Sequence, residues 1–412
     1  MSTQARFAEG LLSSHEFIPV ITVSARGATR LKAGHLWVYR SDLAKTGDIR
    51  AGALVHVQDE RGRKLGSALY SSSSQIAIRL LTSAVIGESR LLPLLRERID
   101  GAAQFRKQFA RDTDSYRVIF SEADLLPGLI VDKYNDVLSM QVVTQAFDRE
   151  DLRTVVTDAM AENFPDSSLF ERVDPHIRQL EQLPARESQL IQGDRSSTIF
   201  TLNGVRFHFD ALGGQKTGAF LDQRENYAAA ARYAHGEALD CFTYQGGFAL
   251  HLARVYSKVT AVDSSRPALE VADQNEQLNR SGHICGEIEW VEANAFDLLK
   301  DYSTAGQQYD TIVLDPPAFA KTKRVLETAI RGYKELNLRA LKMLRPGGVL
   351  VTCSCSFHVS EGEFLDMLGA AAADAGRRVR ILEKRSAAID HPMLSGVPET
   401  AYLKCIICQV IE

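Results

Sequence analysis

Alternating strand-like and helix-like segments fill the carboxyl-terminal half of this chain, and this alternation constrains the fold more than any other feature. From Leu212 onward, apolar strand-like runs are separated by segments with helical patterning. The runs read LDCF, KVTAVD, IEWVEA, YDTIVLD and GGVLVTC. This order predicts an α/β fold with a mostly parallel, doubly wound, Rossmann-like sheet. The last two runs, RVRILEK and AYLKCIICQVI, have no crossover helix between them, so we expect a seven-stranded sheet that ends in an antiparallel edge hairpin.

The preceding residues have a different character and predict two further domains. Residues 21–82 consist of short β-rich runs around turns, which is typical of a small barrel or sandwich. A helical stretch over 90–110, three strand-like runs and a second helix then predict a central α+β domain. A chain of 412 residues exceeds one ordinary core of about 100 to 200 residues. We therefore predict domains at 18–88, 89–190 and 191–412.

Local patterns refine this division. Residues 175–195 are polar and predict a linker, and TIFTLNGVRFHFD directly after them predicts a β-hairpin that leads into the last domain. Asp222 with Glu225, and Ser360 with Glu363, each fit a capping box at a helix start. In that motif an N-cap oxygen and a carboxylate three residues later satisfy free backbone amides.

The composition indicates a cytoplasmic protein with reduced thiols. There is no run of roughly 18 apolar residues, and the amino terminus lacks a basic head followed by an apolar core. The cysteines are too few for a disulfide framework in a chain of this size. They are Cys241, Cys285, Cys353, Cys355, Cys405 and Cys408. Two close pairs among them could form a zinc site if they met, but one pair lies in a strand-like apolar run, so we predict no metal.

The charge distribution favours a polyanionic partner. The first 120 residues contain 18 Lys+Arg and 11 Asp+Glu, although the whole chain has a net charge of −4. A basic front half can bind phosphates, and interleaved aromatics such as Trp37 can stack bases, although a solvated basic face and a core role for Trp37 are the alternatives. The residues predicted to bind RNA in this region are Arg26, Arg30, Lys32, Arg40, Arg61 and Lys64.

Chemistry-bearing residues follow the predicted parallel strands, where ligands bind in such sheets. The first strand is followed by Gly246-Gly247, which allows a ligand to approach the backbone at a helix start. The second ends at Asp263, whose carboxylate can accept both hydroxyls of a ribose. A glycine turn followed by an acid also occurs in dinucleotide dehydrogenases. The GG pair, in place of GxGxxG, favours S-adenosylmethionine instead.

The fourth strand ends in Asp315-Pro316-Pro317, which strengthens this interpretation. Two prolines fix their own φ angles and remove two amide donors, so the loop is rigid and presents the carboxylate and free carbonyls to the cleft. That arrangement suits a planar base whose ring nitrogen or amino group donates to oxygen. The alternative is a strand that is simply stopped by proline.

At this point the chain resembles a known family over almost its whole length. It is similar to the bacterial large-subunit rRNA cytosine-C5 methyltransferases of the RlmI type, which have a PUA domain, a central domain and a class I S-adenosylmethionine-dependent methyltransferase domain. The matching segments are GHLWVY, SALYSSSSQIAIRL, PGLIVDKYND, GGQKTGAFLDQRENY, LDCFTYQGGFALHLA, VTAVDSSRPALEVADQNEQLN, YDTIVLDPPAF, RGYKELN, TCSCS and DHP. One departure is Asn294, which stands where the family usually has Asp.

The resemblance implies the cofactor, the substrate and the site. S-adenosyl-L-methionine is the expected cofactor, and large-subunit rRNA is the expected partner, with no membrane and with a homodimer as an option. The expected cofactor residues are Phe220, Asp222, Gln223, Arg224, Asp240, Phe242, Gly246, Gly247, Asp263, Ser264, Asn294, Ala295, Phe296, Asp315 and Pro316. Lys216, in the loop before them, is expected to bind RNA. Solvated charges on a capped helix are the alternative for Lys216 and Arg224.

Cytosine C5 chemistry requires a thiol, and the chain offers two at one strand end. Cytosine C5 is a poor nucleophile, so a thiolate must first add to C6 and push electron density onto C5. Cys353 and Cys355 share a strand face by alternation, but Cys355 lies nearer the polar exit from the strand. In the family the nucleophile is a Cys followed by Ser with an acid nearby, as in Cys355 and Glu361. We therefore predict Cys355 and Asp315 as catalytic residues and Cys353 as a packing residue.

Two other functions stay open at this stage. The first is an rRNA guanine methyltransferase of the same fold, which would use Asp-Pro-Pro without a thiol. The second is an inactive RNA-binding assembly factor. Retention of Asp263, Asp315 and the glycine pair argues against the second.

Overall fold

The computed structural model describes residues 17–44, 47–213, 219–233, 235–255, 258–280, 282, 284, 286–320 and 322–411. The chain divides into two compact units. Unit 1 comprises the residues up to Arg98 together with Val143–Ala159 and Pro175–Ala185, and unit 2 comprises the rest. The predicted central domain is thus shared between the two units, and its predicted boundaries stay a prediction.

Unit 1 contains a five-stranded sheet with the order β1-β3-β4-β5-β2. Its strands are β1 (Val20–Val23), β2 (Trp37–Tyr39), β3 (Leu54–Asp59), β4 (Lys64–Tyr70) and β5 (Ile76–Thr82). The first helix, α1 (Ala25–Lys32), begins where the Ser24 side chain accepts a hydrogen bond from the Gly27 amide. The β-rich pattern predicted for this segment is present.

Two helices run from one unit into the other, and a short helix belongs to unit 1. The long helices are α2 (Glu88–Phe109) and α3 (Glu150–Asn163), and the short one is α4 (Pro175–Leu180). The region predicted to be a linker therefore contains regular structure, because α4 is followed by a strand that pairs with an earlier one. The linker prediction for 175–195 was wrong in this respect.

A second five-stranded sheet lies in unit 2, with the order β10-β9-β8-β7-β6. Its strands are β6 (Ser115–Phe120), β7 (Leu129–Tyr134), β8 (Val137–Val142), β9 (Ser168–Glu171) and β10 (Gln189–Gln192). The predicted hairpin follows as β11 (Ser197–Leu202) and β12 (Val205–Asp210). Its turn places Asn203 and Gly204 at positive φ, as a two-residue hairpin turn requires.

The main sheet of unit 2 has seven strands in the order β15-β14-β13-β16-β17-β19-β18. The strands are β13 (Glu237–Cys241), β14 (Lys258–Asp263), β15 (Glu287–Glu292), β16 (Tyr309–Leu314), β17 (Leu344–Ser354), β18 (Val379–Arg385) and β19 (Lys404–Val410). The helices are α5 (Arg224–Tyr233), α6 (Gly247–Leu252), α7 (Arg266–Asn279), α8 (Ala295–Thr304), α9 (Leu326–Met343) and α10 (Glu361–Asp374).

Strands β13 to β17 pair in parallel, and the last two pair antiparallel, with β19 inserted between β17 and β18. The doubly wound sheet with an antiparallel edge is thereby confirmed. Apolar residues of the strands form clusters with the helices that pack on them. Because β13, β14, β16 and β17 are parallel neighbours, their carboxyl ends lie together at one edge of the sheet.

Candidate active site

A large cavity opens at the carboxyl ends of these parallel strands. Its volume is about 1330 Å³. Residues at or just after the ends of four strands line it, including Tyr244, Asp263, Asp315 and Cys355, and the hairpin of β11 and β12 also contributes to its wall. Predicted site residues from distant parts of the chain thus meet in one place.

The loop after β13 is shaped for close approach of a ligand. Phe242, Tyr244 and Gly246 all have positive φ, which folds the loop tightly before α6. A Cβ added at Gly247 would lie 2.6 Å from the Tyr227 ring, so no larger residue fits there without displacing that ring. Gly247 and Phe242 line a small cavity beside the large one.

Asp240, the next-to-last residue of β13, fixes this loop by accepting hydrogen bonds from it. One carboxylate oxygen accepts hydrogen bonds from the Thr243 hydroxyl (2.6 Å) and the Ala249 amide (3.0 Å). Its Oδ1 atom is buried and has no hydrogen-bond partner among the described residues. Burial, with a smaller contribution from Asp263, raises the pKa of Asp240 to about 7 despite these two bonds. An orphaned carboxylate oxygen at this position fits a ligand that brings a hydrogen-bond donor, such as an amino group.

Asp263 ends β14 with its carboxylate fixed by backbone amides. Its Oδ2 accepts from the Tyr244 amide and its Oδ1 from the Ser265 amide, both at 2.9 Å. The carboxylate lines the cavity together with Ser264. Each oxygen retains a further lone pair, so the group can still accept hydroxyl donors.

The charge of the cavity wall distinguishes between cofactors. Four acidic side chains line it, those of Asp210, Asp222, Asp263 and Asp315, and the lining within the described ranges contains neither Lys nor Arg. A wall of this kind favours a cation such as a sulfonium with an α-amino group, and it disfavours the pyrophosphate of a dinucleotide. The residues present therefore fit S-adenosylmethionine.

Asp315 is held in one orientation at the mouth of the rigid Asp-Pro-Pro loop. The Gln223 side-chain amide donates to Asp315 Oδ1 at 3.0 Å, and Gln223 in turn accepts from Asn226 at 2.6 Å. Arg385 donates to Asn226 at 2.8 Å and completes the chain of hydrogen bonds. Burial, followed by repulsion from Asp222 and Asp240, raises the pKa of Asp315 to about 8. The carboxyl group is therefore mostly protonated at neutral pH and can donate a proton.

The two thiols of β17 and its exit have different surroundings. Cys353 is fully buried and pairs across the ladder with Cys405 of β19, which makes it part of the core, as predicted. Cys355 lies just beyond the last strand residue, lines the cavity, and its thiol is 4.0 Å from the carbonyl oxygen of Pro316. Burial, followed by repulsion from Asp315 and Asp222, raises the pKa of Cys355 to about 11.

Neutral hydrogen bonds fix the segment around Cys355. Ser354 donates to the Tyr333 hydroxyl at 3.0 Å, and the same hydroxyl lies 3.0 Å from Ser356 Oγ. Ser356 Oγ also accepts from the Ala320 amide at 3.1 Å. Ser354 is thus hydrogen-bonded to α9, and Ser356 is hydrogen-bonded both to α9 and to the loop after β16.

Asp222 has a different role from the one that its spacing suggested. A short 3₁₀ turn over Leu221–Gln223 precedes α5, and no side chain caps it. The Asp222 carboxylate instead accepts from the Tyr402 hydroxyl at 2.5 Å, and both residues line the cavity. The capping box of Asp222 with Glu225 was therefore wrong, whereas that of Ser360 with Glu363 is confirmed.

Arg224 is committed to a buried ion pair and is absent from the cavity lining among the described residues. Its guanidinium donates to Asp390 at 2.8 Å, and both side chains are almost fully buried. Asp390 also accepts from the Arg117 amide, and His391 Nδ1 lies 3.4 Å from its carboxylate. Although burial opposes it, attraction to His391 and Arg224 holds the pKa of Asp390 well below its usual range. Arg224 was expected either to contact the cofactor or to be a solvated charge, and both expectations were wrong.

The predicted adenine residues lie at the start of α8. Asn294 is its N-cap, and Oδ1 accepts from the Phe296 amide at 2.9 Å. Ala295 is buried, and the Phe296 ring packs 5.9 Å from that of Phe319. The described cavity lining does not include Asn294, Ala295, Phe296 or Gly246. Their contact with a cofactor stays a prediction.

Three of the six predicted RNA-binding side chains of unit 1 pair with two buried acids. Arg26 and Arg30 bond Asp42, while Lys32 bonds Asp59. The remaining contacts are those of Arg40 to the carbonyls of Ser71 and Ser74, of the Arg61 amide to Asp59, and of Lys64 to Gln58. Arg26 is nevertheless 67% exposed and Lys32 49%. Lys216 and Cys285 lie outside the described residues.

Three residues that sequence reasoning missed take part in the site. Tyr333 lies in the RGYKELN segment, where only its resemblance was noted, and Tyr402 and Lys404 lie in what looked like a plain apolar strand. A polar residue in an otherwise apolar run was the available signal. Among the described residues, no cluster of three or more His, Cys, Asp or Glu could hold a metal ion.

Comparisons with known proteins show the family to which this chain belongs. A family model described as a PUA-like domain matches residues 21–83, and one described as an S-adenosylmethionine-dependent methyltransferase matches 177–407. Ribosomal RNA large subunit methyltransferase I of Klebsiella pneumoniae (strain 342) is 36% identical over 397 residues, covering 94% of this chain and 98% of that protein. The chain belongs to the ribosomal RNA large subunit methyltransferase I family. The protein of the same name from Photobacterium profundum is 36% identical over 391 residues, which cover 92% and 96% of the two chains.

Solved structures show the same fold for this methyltransferase. SMU.776, a methyltransferase complexed with SAH, has a TM-score of 0.81 at 18% identity and covers 95% of this chain and 100% of that one. A SAM-dependent methyltransferase from Streptococcus mutans has a TM-score of 0.79 at 18% identity, with the same coverage. The expected fold, cofactor and enzyme class are confirmed. In the described part of the chain, no helix is long and apolar enough to span a membrane.

Proposed function

We propose that this methyltransferase forms 5-methylcytosine in large-subunit ribosomal RNA, with Cys355 adding covalently to cytosine C6. The observation that carries the proposal is that Cys355 and Asp315 line the same cavity as Asp263, with the Cys355 thiol 4.0 Å from the Pro316 carbonyl of the Asp-Pro-Pro loop. The names of the relatives support the ribosomal RNA substrate. The thiol supports the choice of cytosine C5, because ring nitrogens have lone pairs and need no covalent activation.

The residues of the chain can perform the steps that this reaction needs. Bound S-adenosylmethionine supplies an electrophilic methyl group. The Cys355 sulfur forms a bond to C6, while the C5–C6 electron pair becomes available at C5 and Asp315 donates its proton to N3. Asp315 is suited to this because its raised pKa keeps it protonated. Once C5 carries the methyl group, the Asp315 carboxylate can accept the C5 proton. The sulfur–C6 bond then breaks as the C5–C6 double bond returns, and N3 releases its proton to solvent, which leaves neutral 5-methylcytosine and the Cys355 thiolate.

The thiol itself is not activated by its protein surroundings alone. With a pKa of about 11, it is ionised at neutral pH only to a fraction of about 10⁻⁴. Deprotonation must therefore accompany substrate binding or addition, and groups that stabilise the thiolate act directly on the rate.

The cofactor contacts that we propose follow the strand ends. Gly246 and Gly247 lie beside the amino-acid tail with Asp240 Oδ1 as an acceptor for its amino group, and Asp263 binds the ribose. Asn294 meets the adenine edge through Nδ2, since its Oδ1 is used as the helix cap. The rim of the site includes Phe220, whose ring lies 5.2 Å from that of Tyr244.

We further propose that the PUA-like unit binds ribosomal RNA through its exposed basic residues and that the protein acts in the cytoplasm. A homodimer is a separate prediction, to be tested by light scattering.

The test is methyl incorporation into ribosomal RNA from cells that lack the protein, followed by mapping of 5-methylcytosine. The wild type is expected to restore one modified cytosine, and Cys355→Ala is expected to restore none. Modification of a guanine, or unchanged incorporation by Cys355→Ala, would support the guanine methyltransferase instead. Failure to bind S-adenosylmethionine in calorimetry would support an inactive assembly factor.

A further inference from the structure

The thiol of Cys355 lies near two acids, and its anion needs a compensating charge. The Asp222 carboxylate, and Asp315 once it has lost its proton, oppose ionisation of the thiol, and the Tyr333 hydroxyl that bonds the adjacent serines is neutral. A sulfur anion in such surroundings forms only if a cation lies close by. The ammonium of Lys404 is a cation that favours ionisation of this thiol.

Strand pairing brings Lys404 to this place. It is the first residue of β19 and pairs with Ser354, the last residue of β17, directly before Cys355. Its Nζ donates to the carbonyl oxygen of Ser356 at 2.6 Å and to that of Tyr402 at 2.8 Å. The ammonium is thereby fixed to the backbone carbonyl of the residue that follows Cys355, and Lys404 is only 7% exposed.

The hydrogen bonds of Lys404 define what it can do. Both partners are carbonyl acceptors, so the amine donates its protons and does not act as a base. Burial lowers the pKa of Lys404 to about 8, while Cys355 and Glu363 oppose that change. The group is therefore still mostly charged at neutral pH, and its interaction with Cys355 is reciprocal.

We propose that Lys404 is a positioning residue whose buried ammonium stabilises the Cys355 thiolate at the moment when the sulfur gives up its proton. This inference rests on the proposed function in that it assigns Cys355 as the nucleophile. The test of the inference does not depend on that function, because ionisation of the thiol can be measured without RNA and without turnover.

The experiment is the pH dependence of Cys355 alkylation by iodoacetamide in the full-length protein, read on the Cys355 peptide by mass spectrometry. Lys404→Gln removes the charge but retains an amide that can donate to a carbonyl, whereas Lys404→Arg retains the charge. Tyr333→Phe is the matched control, because it removes the neutral hydrogen bonds to both serines and changes no charge.

Lys404→Gln is expected to lower the alkylation rate at pH 7, where Lys404 is charged, by about tenfold for each unit by which the ammonium lowers the pKa of the thiol. The rates of Lys404→Gln and wild type should converge above about pH 9, where Lys404 is neutral, whereas Lys404→Arg and Tyr333→Phe should stay near the wild-type rate at pH 7. An unchanged rate at pH 7 in Lys404→Gln overturns the proposal, and so does an equal loss in Tyr333→Phe.

A second measurement covers the case in which Lys404→Gln does not fold. In Asp315→Asn, which lacks the other group with a pKa of about 8, the alkylation rate of Cys355 should rise tenfold per pH unit below pH 8 and less steeply around that pH, where Lys404 loses its charge. A uniform tenfold rise through this range overturns the proposal. If Cys355 is not the nucleophile, Cys355→Ala will retain methyltransferase activity. Neither of the two measurements above uses that variant or that assay.

Discussion

The last residues of β17 and the loop that follows carry the same residue type in two different environments. Cys353 faces Cys405 across a closed ladder, whereas Cys355, two residues on, faces the Asp-Pro-Pro loop and the cavity. The same contrast recurs at Gln223 and Arg224, where one side chain bonds Asp315 and its neighbour bonds the buried Asp390. Of two residues close in sequence, one thus contributes to the active site and the other to the stability of the fold, and the distant residue that each contacts decides which.

The largest expected difference separates the two thiols. Cys355→Ala should lower methyl transfer by roughly 10³-fold or more, because a nucleophile has no substitute in the site. Cys353→Ala should leave the rate within about threefold and cost about 1 kcal/mol of unfolding free energy for the lost core volume. Single-turnover kinetics and urea unfolding measure the two effects. Equal losses of rate in the two variants would contradict the assignment of Cys355 as nucleophile and Cys353 as a core residue.

The buried ion pair is expected to give the next largest effect. Asp390→Asn leaves Arg224 with only the more exposed Glu225 carboxylate at 3.5 Å and should cost about 3 kcal/mol of unfolding free energy, measured by urea unfolding. The double variant Asp390→Asn with Arg224→Met should recover part of this loss, because no unpaired charge remains.

The same pair predicts a pH dependence. The pKa of Asp390 is held below its unfolded value of about 3.9, so its contribution is complete above about pH 4 and is lost as the pH falls further. Wild-type stability should therefore fall more steeply below pH 4 than that of Asp390→Asn. Parallel curves would mean that the pair contributes no such dependence.

Asp315 should affect the rate and also its pH profile. Asp315→Asn should slow methyl transfer by about 10²-fold, as expected for loss of a general acid. In the wild type, the rate should rise with thiolate and level off near pH 8, where loss of protonated Asp315 offsets the gain. In single-turnover assays the rate of the variant should continue to rise above pH 8, although less steeply than below it because Lys404 also loses its charge there. A plateau at the same pH in both proteins would assign it to another group.

The smallest effects are expected in the PUA-like unit. Arg26→Ala should weaken ribosomal RNA binding about twofold to threefold and reduce the salt slope by about one, as for one phosphate contact. Arg40→Ala is the contrasting variant, because its guanidinium bonds the Ser71 and Ser74 carbonyls and its loss should lower stability first. Binding titrations at several salt concentrations distinguish the two.

Local patterns were sufficient for the sheet and for the residues at its strand ends. Alternation of strands and helices predicted the parallel sheet, and the spacing of Ser360 and Glu363 predicted a cap, since both depend on neighbours in sequence. The fold also predicted that Asp263, Asp315 and Cys355 would meet, because parallel strand ends share an edge.

The missed features depend on contacts between distant segments. Tyr402 bonds Asp222 from 180 positions away, which removed the predicted cap, and Asp390 pairs with Arg224 from 166 positions away. Lys404 looked like part of an apolar strand, and only the pairing of β19 with β17 brings it beside Cys355. Such contacts leave no periodic signal in a single sequence.

The most direct test of Cys355 as the nucleophile is covalent trapping on ribosomal RNA that contains 5-fluorocytidine. Because fluorine at C5 cannot leave as a proton, the sulfur–C6 bond should persist after methyl transfer. We expect an RNA adduct on the Cys355 peptide in the wild type and in Cys353→Ala, and none in Cys355→Ala. An adduct on Cys353, or methylated product without any adduct, would contradict this role.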